Sequence, residues 1–505
     1  MVASYGGSSL LAPVTKYIDL PLYQINYVGS QLFGLVCAVC LRLLLHPVRV
    51  GPTVRHVFTL AVGFIILYLC IGWQLWHCLL QATGCYILLL VLPSNLVHIA
   101  VFVFALGYLL WCNVVRFMTA SDEQTFDHSF PITVATQKLT SLAFGIADWR
   151  RHQESGLQLK PEQKERAVKK MPTMLEFYSF IFGFQGVMAG PFCFFTDFID
   201  FIEGRHLQKI VTSDDSKNEK RRHNISPVGA VGWKLLSSMV LIIIFIYFVP
   251  YFPVSVLVDD NFTNSHNFLY KAIYLYICLF GFRVRYYIGW ILADAVNNAA
   301  GLGFSGFDER GEAKWDLMTN VKLFKIELAT SFKSYMDNWN ILTMAWLRHS
   351  CYIRAPFQPV LLTFILSALW HGVYPGYTIM FITSAIVTIV GRKIRRNVRP
   401  LFQTTTQLQY VYAVLTWLGT QLTMAYVVVP FVLLDLTPTL KFYNHVYWFL
   451  HVIIVILAVA MPAGKPSSQT PKSPSPKRNS YEAGTNSVGQ GHSEETDSEV
   501  KSKDV

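Results

Sequence analysis

Residues 366–377 read LSALWHGVYPGY and place one histidine, His371, between two apolar segments. No charged residue occurs from Pro359 to Trp370 or from Val373 to Val390. A titratable side chain at membrane depth is costly and therefore marks a candidate functional site. Imidazole also has the pKa best suited to proton transfer near neutrality. The alternative is a core histidine whose ring is satisfied by a backbone carbonyl, and the chemistry of this residue alone leaves both interpretations open.

The composition of the whole chain is that of a membrane protein. Of its 505 residues, 53% are hydrophobic and only 14% are charged, whereas soluble domains average about 25% charged residues. The net charge of +11 resides mainly in short loops, as orientation determinants do, and does not indicate a nucleic-acid partner. Nine cysteines are predicted to be small buried apolar residues. Cys37 and Cys40 have the spacing of half a zinc site, but no second pair follows.

The apolar segments predict an all-α, polytopic membrane protein. A helix needs about 20 residues to cross the hydrocarbon core, and this length gives about eleven spans. They lie near residues 21–45, 56–79, 82–97, 98–116, 131–147, 229–253, 268–292, 356–372, 374–391, 408–433 and 445–462. The apolar segment 174–202 is interrupted by Gly183, Gly186, Gly190 and Pro191. It is predicted to form a re-entrant or interfacial hairpin, because broken backbone is tolerated in a membrane where protein covers it.

Basic residues predict the orientation of these spans. Three clusters, within 148–171, 205–223 and 392–399, fall on one side in the predicted span order, which the positive-inside rule makes cytosolic. The N-terminus is then lumenal and the C-terminus cytosolic. The glycosylation sequon at Asn261 falls in a loop that this orientation places in the lumen.

Two regions differ sharply in composition. Residues 1–463 form the predicted transmembrane domain, and residues 464–505 are dominated by Ser, Pro, Lys, Glu and Gly. Such a segment cannot bury enough apolar surface to offset its ordering entropy. We therefore expect 464–505 to be a disordered cytosolic tail.

Asn340 is the second polar residue of interest. Apolar residues within 331–353 recur at spacings of three and four, which predicts a helix with Asn340 toward its apolar side. A buried amide must find hydrogen-bond partners. Asn340 could therefore pair with another helix or donate to a substrate carbonyl, and the residues alone do not separate these roles.

Several motifs resemble one known family. Trp370-His371-Gly372-x-x-Pro375-Gly376-Tyr377 is similar to the signature of the membrane-bound O-acyltransferases, and Asp337-Asn338-Trp339-Asn340 resembles that family's second landmark. Trp315-Asp316 and residues 294–301, DAVNNAAG, resemble its lysophospholipid acyltransferase branch, types one and two. The likeness extends from about residue 10 to residue 461.

The resemblance implies an endoplasmic reticulum enzyme with a membrane-bound O-acyltransferase fold. It would transfer a fatty acyl chain, the oleoyl chain, from acyl-CoA to the free glycerol hydroxyl of a lysophospholipid, namely lysophosphatidylserine or lysophosphatidylethanolamine. Its implied partners are acyl-CoA, lysophospholipid and membrane lipids, with no cofactor and no metal; no oligomeric state is indicated. The implied catalytic residues are His371 and Asn340. Residues with an implied substrate-binding role are Trp315, Asp316, Asn297, Asn298, Trp339, Trp370 and Tyr377.

Two other functions remain open at this point. The acceptor could be a sterol, diacylglycerol or protein hydroxyl, although the neutral-lipid branch carries a double Trp before its Asn and this chain has Trp339 alone. A channel or scaffold would instead distribute polar residues along several spans. Here the polar candidates concentrate within 294–377, which favours an enzyme.

Overall fold

The computed structural model describes residues 5–18, 20–119, 127–188, 190–206 and 225–461. The predicted tail, 464–505, lies outside these residues. Within the described ranges the regular structure is almost entirely helical, as the composition predicts. The exception is a short antiparallel pair, β1 (Gly306–Phe307) and β2 (Ala313–Lys314), in which Gly306 pairs with Lys314.

The helices of the N-terminal half begin with four long apolar ones. They are α1 (Leu22–Leu43), α2 (Pro52–Ile71), α3 (Leu75–Val91) and α4 (Val97–Met118). One long polar helix and three short ones follow: α5 (Ser129–Ser155), α6 (Pro161–Arg166), α7 (Met174–Phe182) and α8 (Phe195–Ile202).

The C-terminal half alternates long apolar helices with short ones. Its first part contains α9 (Val228–Tyr247), α10 (Asp260–Ser265), α11 (Phe268–Ala300), α12 (Leu323–Glu327), α13 (Phe332–Met336) and α14 (Ile341–Leu347). Its second part contains α15 (Pro359–His371), α16 (Pro375–Val398), α17 (Thr406–Leu433), α18 (Leu436–His445) and α19 (Phe449–Ala460).

Among the described residues, seven helices are long and apolar enough to cross a membrane, or eight if the bent pair α18–α19 forms one span. The all-α polytopic prediction is therefore confirmed, but the count of eleven is not. Two of the predicted spans differ most. The segment 356–372 contains α15, a helix of only 13 residues. The segment 131–147 belongs to α5, which is long enough to cross a membrane but is too polar to count among the seven.

The helix α5 is enclosed by protein rather than lipid. Its fully buried Lys138 donates through Nζ to the carbonyls of Phe180 (2.9 Å) and Ile181 (3.1 Å). Near its end, buried Asp148 accepts two hydrogen bonds from Arg354, at 2.8 and 2.6 Å. Buried polar groups need such partners, so α5 can carry polar residues that a lipid-facing helix could not.

The segment 174–202 is broken, as its glycines predict. Two short helices, α7 and α8, are separated by an irregular stretch whose described residues are buried. The cysteines also follow the prediction: all nine are free and seven are buried.

The orientation leads to a first prediction. If the basic clusters face the cytosol, protease added to sealed microsomes should remove an epitope tag placed after Val505. The exposed Asn261 should carry a glycan, seen as a mobility shift that is lost in Asn261→Gln. Protection of the C-terminal tag in sealed vesicles would reverse the orientation.

Candidate active site

His371 is the last residue of the apolar helix α15. The helix starts with Pro359 at its first turn and ends where Gly372 takes a φ of 136°, a conformation that disfavours side chains. At 1.5 Å per residue α15 is about 20 Å long, less than the roughly 30 Å of a hydrocarbon core. The helix is therefore too short to cross a bilayer alone.

The His371 ring is half-buried and surrounded by aromatic side chains. Phe381 stacks on it at 5.0 Å between centroids, Phe431 meets it edge-on at 5.1 Å, and Tyr377 lies at 5.7 Å. In the part of the chain that the structure describes, no hydrogen bond joins this imidazole to another protein group. A polar ring in apolar surroundings without a protein partner is available to bind a substrate group.

The Pro-Gly step after His371 brings two helices together. Gly376, in the first turn of α16, donates its N–H to the carbonyl of Leu434 at 2.6 Å. A Cβ atom on Gly376 would lie 2.0 Å from the carbonyl oxygen of Pro430, so a side chain there would push α17 away. The close approach holds Phe431 of α17 against the His371 ring.

Asn340 does not lie within a continuous helix, so the helix predicted over 331–353 is wrong. The chain breaks into α13, α14 and a π turn at Arg348–Tyr352, and Asn340 adopts a left-handed conformation (φ 47°, ψ 50°) just before α14. Asparagine tolerates this conformation better than most residues. The periodicity of apolar residues continues across the break, which is why the sequence did not reveal it.

Asn320 holds the Asn340 turn. Its Nδ2 donates to Oδ1 of Asn340 at 3.0 Å, while its Oδ1 accepts from the N–H of Leu342 at 2.9 Å. The carbonyl of Asn320 accepts from the N–H of Ile341, also at 2.9 Å. The side-chain oxygen of Asn340, Oδ1, thus already accepts a hydrogen bond. Its side-chain N–H groups remain to donate to a substrate. Asn320 was not identified from the sequence, because nothing in its neighbourhood marks it.

Polar helix α5 positions both candidate catalytic segments. The indole N–H of Trp346, in α14, donates to Oγ1 of Thr140 at 2.9 Å, and that of Trp370 donates to the carbonyl of Thr133 at 3.0 Å. The two indole rings lie 5.8 Å apart. The helix that follows Asn340 and the helix that ends at His371 therefore pack side by side on α5. Trp370, expected to bind substrate, is buried and serves as an anchor here.

Aromatic rings connect Trp339, the residue before Asn340, with His371. Trp339 lies 5.9 Å from Tyr286, Tyr286 lies 5.6 Å from Phe282, and Phe282 lies 6.3 Å from Phe431, which touches His371. Trp339 and His371 thus border one aromatic wall, formed by α11 and α17. Such a wall is suited to an apolar chain, as ligand sites lined mostly by aromatic and apolar side chains are.

The remaining candidates form a separate polar group at the end of α11. Asn298 Nδ2 donates to the carbonyl of Trp315 at 3.3 Å, and Asn297 Nδ2 donates to the carbonyl of Gln185 at 2.7 Å. Exposed Asp316 accepts from Ser305 at 2.5 Å. These contacts fasten the loop after α11 to the helix core.

An ion pair reinforces this polar group. Lys234 Nζ lies 2.7 Å from a carboxylate oxygen of buried Asp294 and also donates to the carbonyl of Trp315 at 3.1 Å. Four residues after Asp316, the same loop reaches Asn320, which holds Asn340. The loop that this group fastens therefore continues directly to the residue that holds the Asn340 turn. None of the side chains of the group is hydrogen-bonded to His371 in the described ranges.

A second histidine near this region is more deeply buried than His371. His349, in the π turn, is buried between Phe144 at 6.4 Å and Phe194 at 5.5 Å. Burial first, and then the positive charge of Arg354, lower the pKa of His349 to about 3. It stays neutral at physiological pH and packs as part of the core.

The family of this chain follows from comparison with known proteins. The model of the membrane-bound O-acyltransferase family matches residues 53–429. The chain belongs to this family and is an acyltransferase, as the motifs around His371 predict.

The relatives are similar over nearly the whole chain. Membrane-bound glycerophospholipid O-acyltransferase 2 of Rattus norvegicus is 40% identical over 463 residues, which cover 91% of this chain and 88% of the relative. Membrane-bound glycerophospholipid O-acyltransferase 1 of Homo sapiens is 40% identical over 474 residues, covering 93% and 94%. The lysophospholipid acyltransferase of Saccharomyces cerevisiae is 29% identical over 375 residues, covering 70% and 60%.

Proposed function

We propose that this protein transfers a fatty acyl chain from acyl-CoA to the free glycerol hydroxyl of a lysophospholipid during phospholipid remodelling. The observation that carries the proposal is the His371 imidazole, which ends an apolar helix, faces aromatic rings and has no protein hydrogen-bond partner among the described residues. The names of the relatives, glycerophospholipid and lysophospholipid acyltransferases, support the choice of acceptor.

His371 acts in this proposal as the general base. It takes the proton of the glycerol hydroxyl, and the oxygen attacks the thioester carbonyl. The tetrahedral intermediate collapses as the carbon–sulfur bond breaks, and the thiolate receives the proton from the imidazolium to give free coenzyme A. Because the thiolate is a good leaving group, transfer needs no acyl-enzyme.

Asn340 stabilises the oxyanion or orients a reactant through its amide N–H groups. Asn320 already occupies its oxygen, so the Asn340 amide presents donors, as an oxyanion requires. The aromatic wall from Trp339 to Phe431 takes the acyl chain. The coenzyme A end stays in water on the cytosolic side, and holding both reactants in one site lowers the entropic part of the barrier.

The substrates follow from the resemblance to types one and two of the lysophospholipid branch. We propose oleoyl-CoA as donor, lysophosphatidylserine or lysophosphatidylethanolamine as acceptor, and the endoplasmic reticulum membrane as location, with a cytosolic C-terminus.

Microsomes from cells that express the protein test this function. They would receive labelled oleoyl-CoA with a panel of lysophospholipids, a sterol and diacylglycerol, and the lipid products would be resolved by head group and chain. The expected result is a new phospholipid that is absent from microsomes with His371→Ala at equal protein level. Acylation of only the sterol or diacylglycerol would replace the proposed acceptor, and no acylation of any of them would reject the proposal.

Direct transfer leads to a further prediction about Ser367. This buried serine lies four residues before His371 in α15, on the same helix face, and is the nearby hydroxyl that could form a covalent intermediate. We expect no stable label on the protein after incubation with radiolabelled acyl-CoA alone followed by denaturation. We also expect Ser367→Ala to keep transfer activity. Stoichiometric label that disappears in Ser367→Ala would establish a two-step route instead.

A further inference from the structure

Three side chains of types that can bind a metal lie close together in space, although they are distant in sequence from His371 and Asn340. His77 lies in the first turn of α3, Cys112 in α4, and His128 directly before α5. One ligand atom from each lies within 4.8 Å of those of the other two. In a tetrahedral zinc site with bonds of about 2.0–2.3 Å, donor atoms lie roughly 3.3–3.7 Å apart. Rotation of the side chains is therefore needed to bring these three ligand atoms to one ion.

Each imidazole has a polar partner at one of its ring nitrogens. Nδ1 of His77 lies 2.8 Å from the hydroxyl of Tyr108, and Nδ1 of His128 lies 3.3 Å from Oε1 of Gln74. Metal-binding histidines usually engage their second nitrogen in this way, which fixes the tautomer and presents the other nitrogen to the metal. The arrangement leaves Nε2 of both rings for coordination, and Cys112 supplies a buried sulfur.

We propose that His77, Cys112 and His128 form a zinc site with three protein ligands and a fourth position for water. Imidazole and thiolate are the donors that zinc prefers, and three protein ligands with one open position is an established zinc geometry. The sequence did not suggest the site, because the three residues are far apart in the chain and meet only where α3, α4 and the start of α5 come together. It departs from the expectation of no metal, but it adds no metal to the acyl transfer proposed at His371.

Binding of a metal ion requires at least one of the two histidine rings to turn. The His77 and His128 rings are stacked, with centroids 4.0 Å apart and planes 13° apart, and Trp76 stacks on His77 at 3.8 Å. Two parallel rings cannot both point Nε2 at one ion in their planes, so at least one must turn. The turn changes the surroundings of the exposed Trp76, and tryptophan fluorescence should report it.

The site lies beside the turn that carries His371. Asn113 follows Cys112 in α4, and a Cβ atom on Gly372 would lie 3.6 Å from the side-chain carbon Cγ of Asn113. A metal bound to Cys112 would fix this part of α4 against the start of α5 and the first turn of α3. The ion therefore acts as a structural brace next to the reaction centre.

The test uses the full-length protein, purified in detergent and treated with a chelator. Titration with Co²⁺ should produce a thiolate-to-cobalt charge-transfer band and a change in tryptophan fluorescence at one equivalent, and Zn²⁺ should displace the cobalt. Zn²⁺ should also raise the Tm. The matched control is Cys85→Ala, which removes a buried thiol in α3 that is not among the proposed ligands. This variant should keep the band, the stoichiometry and the Tm rise.

Cys112→Ala should lose the charge-transfer band, and His128→Gln should lower the affinity for Zn²⁺ at least tenfold while the protein elutes as the wild type does in size exclusion. The His128 variant provides a second ligand test if Cys112→Ala does not fold. Absence of the band in the wild type, or an unchanged band in Cys112→Ala, would overturn the site. These readouts do not depend on acyl transfer, so their failure leaves the function proposed for His371 untouched.

Discussion

Replacement of His371 by alanine should reduce acyl transfer to background without lowering the protein level. A positioned general base contributes about 10²–10⁴ in rate, and no other side chain within 366–377 has an imidazole or carboxylate to replace it. The ring makes no hydrogen bond to protein in the described ranges, so its loss leaves no buried partner unsatisfied. The measurement is the initial rate of labelled phospholipid formation in microsomes, normalised to protein by immunoblot.

The control for this variant is another histidine. His152 lies near the end of α5 and is half-buried, and its Nδ1 contacts the carbonyl of Leu157 at 2.8 Å. His152→Ala should keep nearly full activity. Turnover by His371→Ala at the wild-type rate and equal protein level would eliminate His371 as the base.

Asn340→Ala should lower acyl transfer by about 10²–10³, the usual contribution of one oxyanion donor. Alanine changes two properties at once, because it removes the amide and also disfavours the left-handed backbone at φ 47°. Asn340→Gly separates them, since glycine adopts this conformation freely. If the amide is the catalytic element, the glycine variant should be as inactive as the alanine variant, although better folded.

Asn338→Ala is the matched control for the Asn340 variants. Asn338 precedes the turn by two residues and uses its Nδ2 to donate to the carbonyl of Ser334 at 2.8 Å, so its role is local. The Asn338 variant should retain most of the activity. Recovery of wild-type activity in Asn340→Gly would show that only the backbone turn matters and would remove the amide from the mechanism.

The segments that the sequence predicted well are those where one residue type decides the structure. Gly372 and Pro375 interrupt an uncharged stretch, so the helix end at His371 could be predicted. The glycines within 174–202 likewise predicted the broken segment between α7 and α8. The break at Asn340 could not, because apolar spacing continues through it and the cause is Asn320, a partner 20 residues away.

The segment predicted as the span 131–147 belongs to the polar helix α5, whose protein surroundings the sequence did not reveal for a related reason. Its apolar residues resemble those of a short span, and what decides its environment is the set of neighbours that accept its polar side chains. Thr140 and Thr133 bind the indoles of α14 and α15, and Lys138 binds carbonyls of α7. Those partners are distant in sequence and carry no local signal.

The enclosed α5 also has a consequence for biogenesis. A lysine at the centre of an isolated helix costs about 2.5–3.5 kcal/mol on insertion, and α5 leaves the ribosome before α7, α14 and α15, which supply its partners. We expect the translocon to retain α5 beside α4, or to leave it at the surface, until the later helices are made. The polar side chains of α5 would then find all their partners only after α15, which ends at His371, has been synthesised. We therefore expect chains truncated before α15 to expose an unpaired polar helix and to be recognised by quality control.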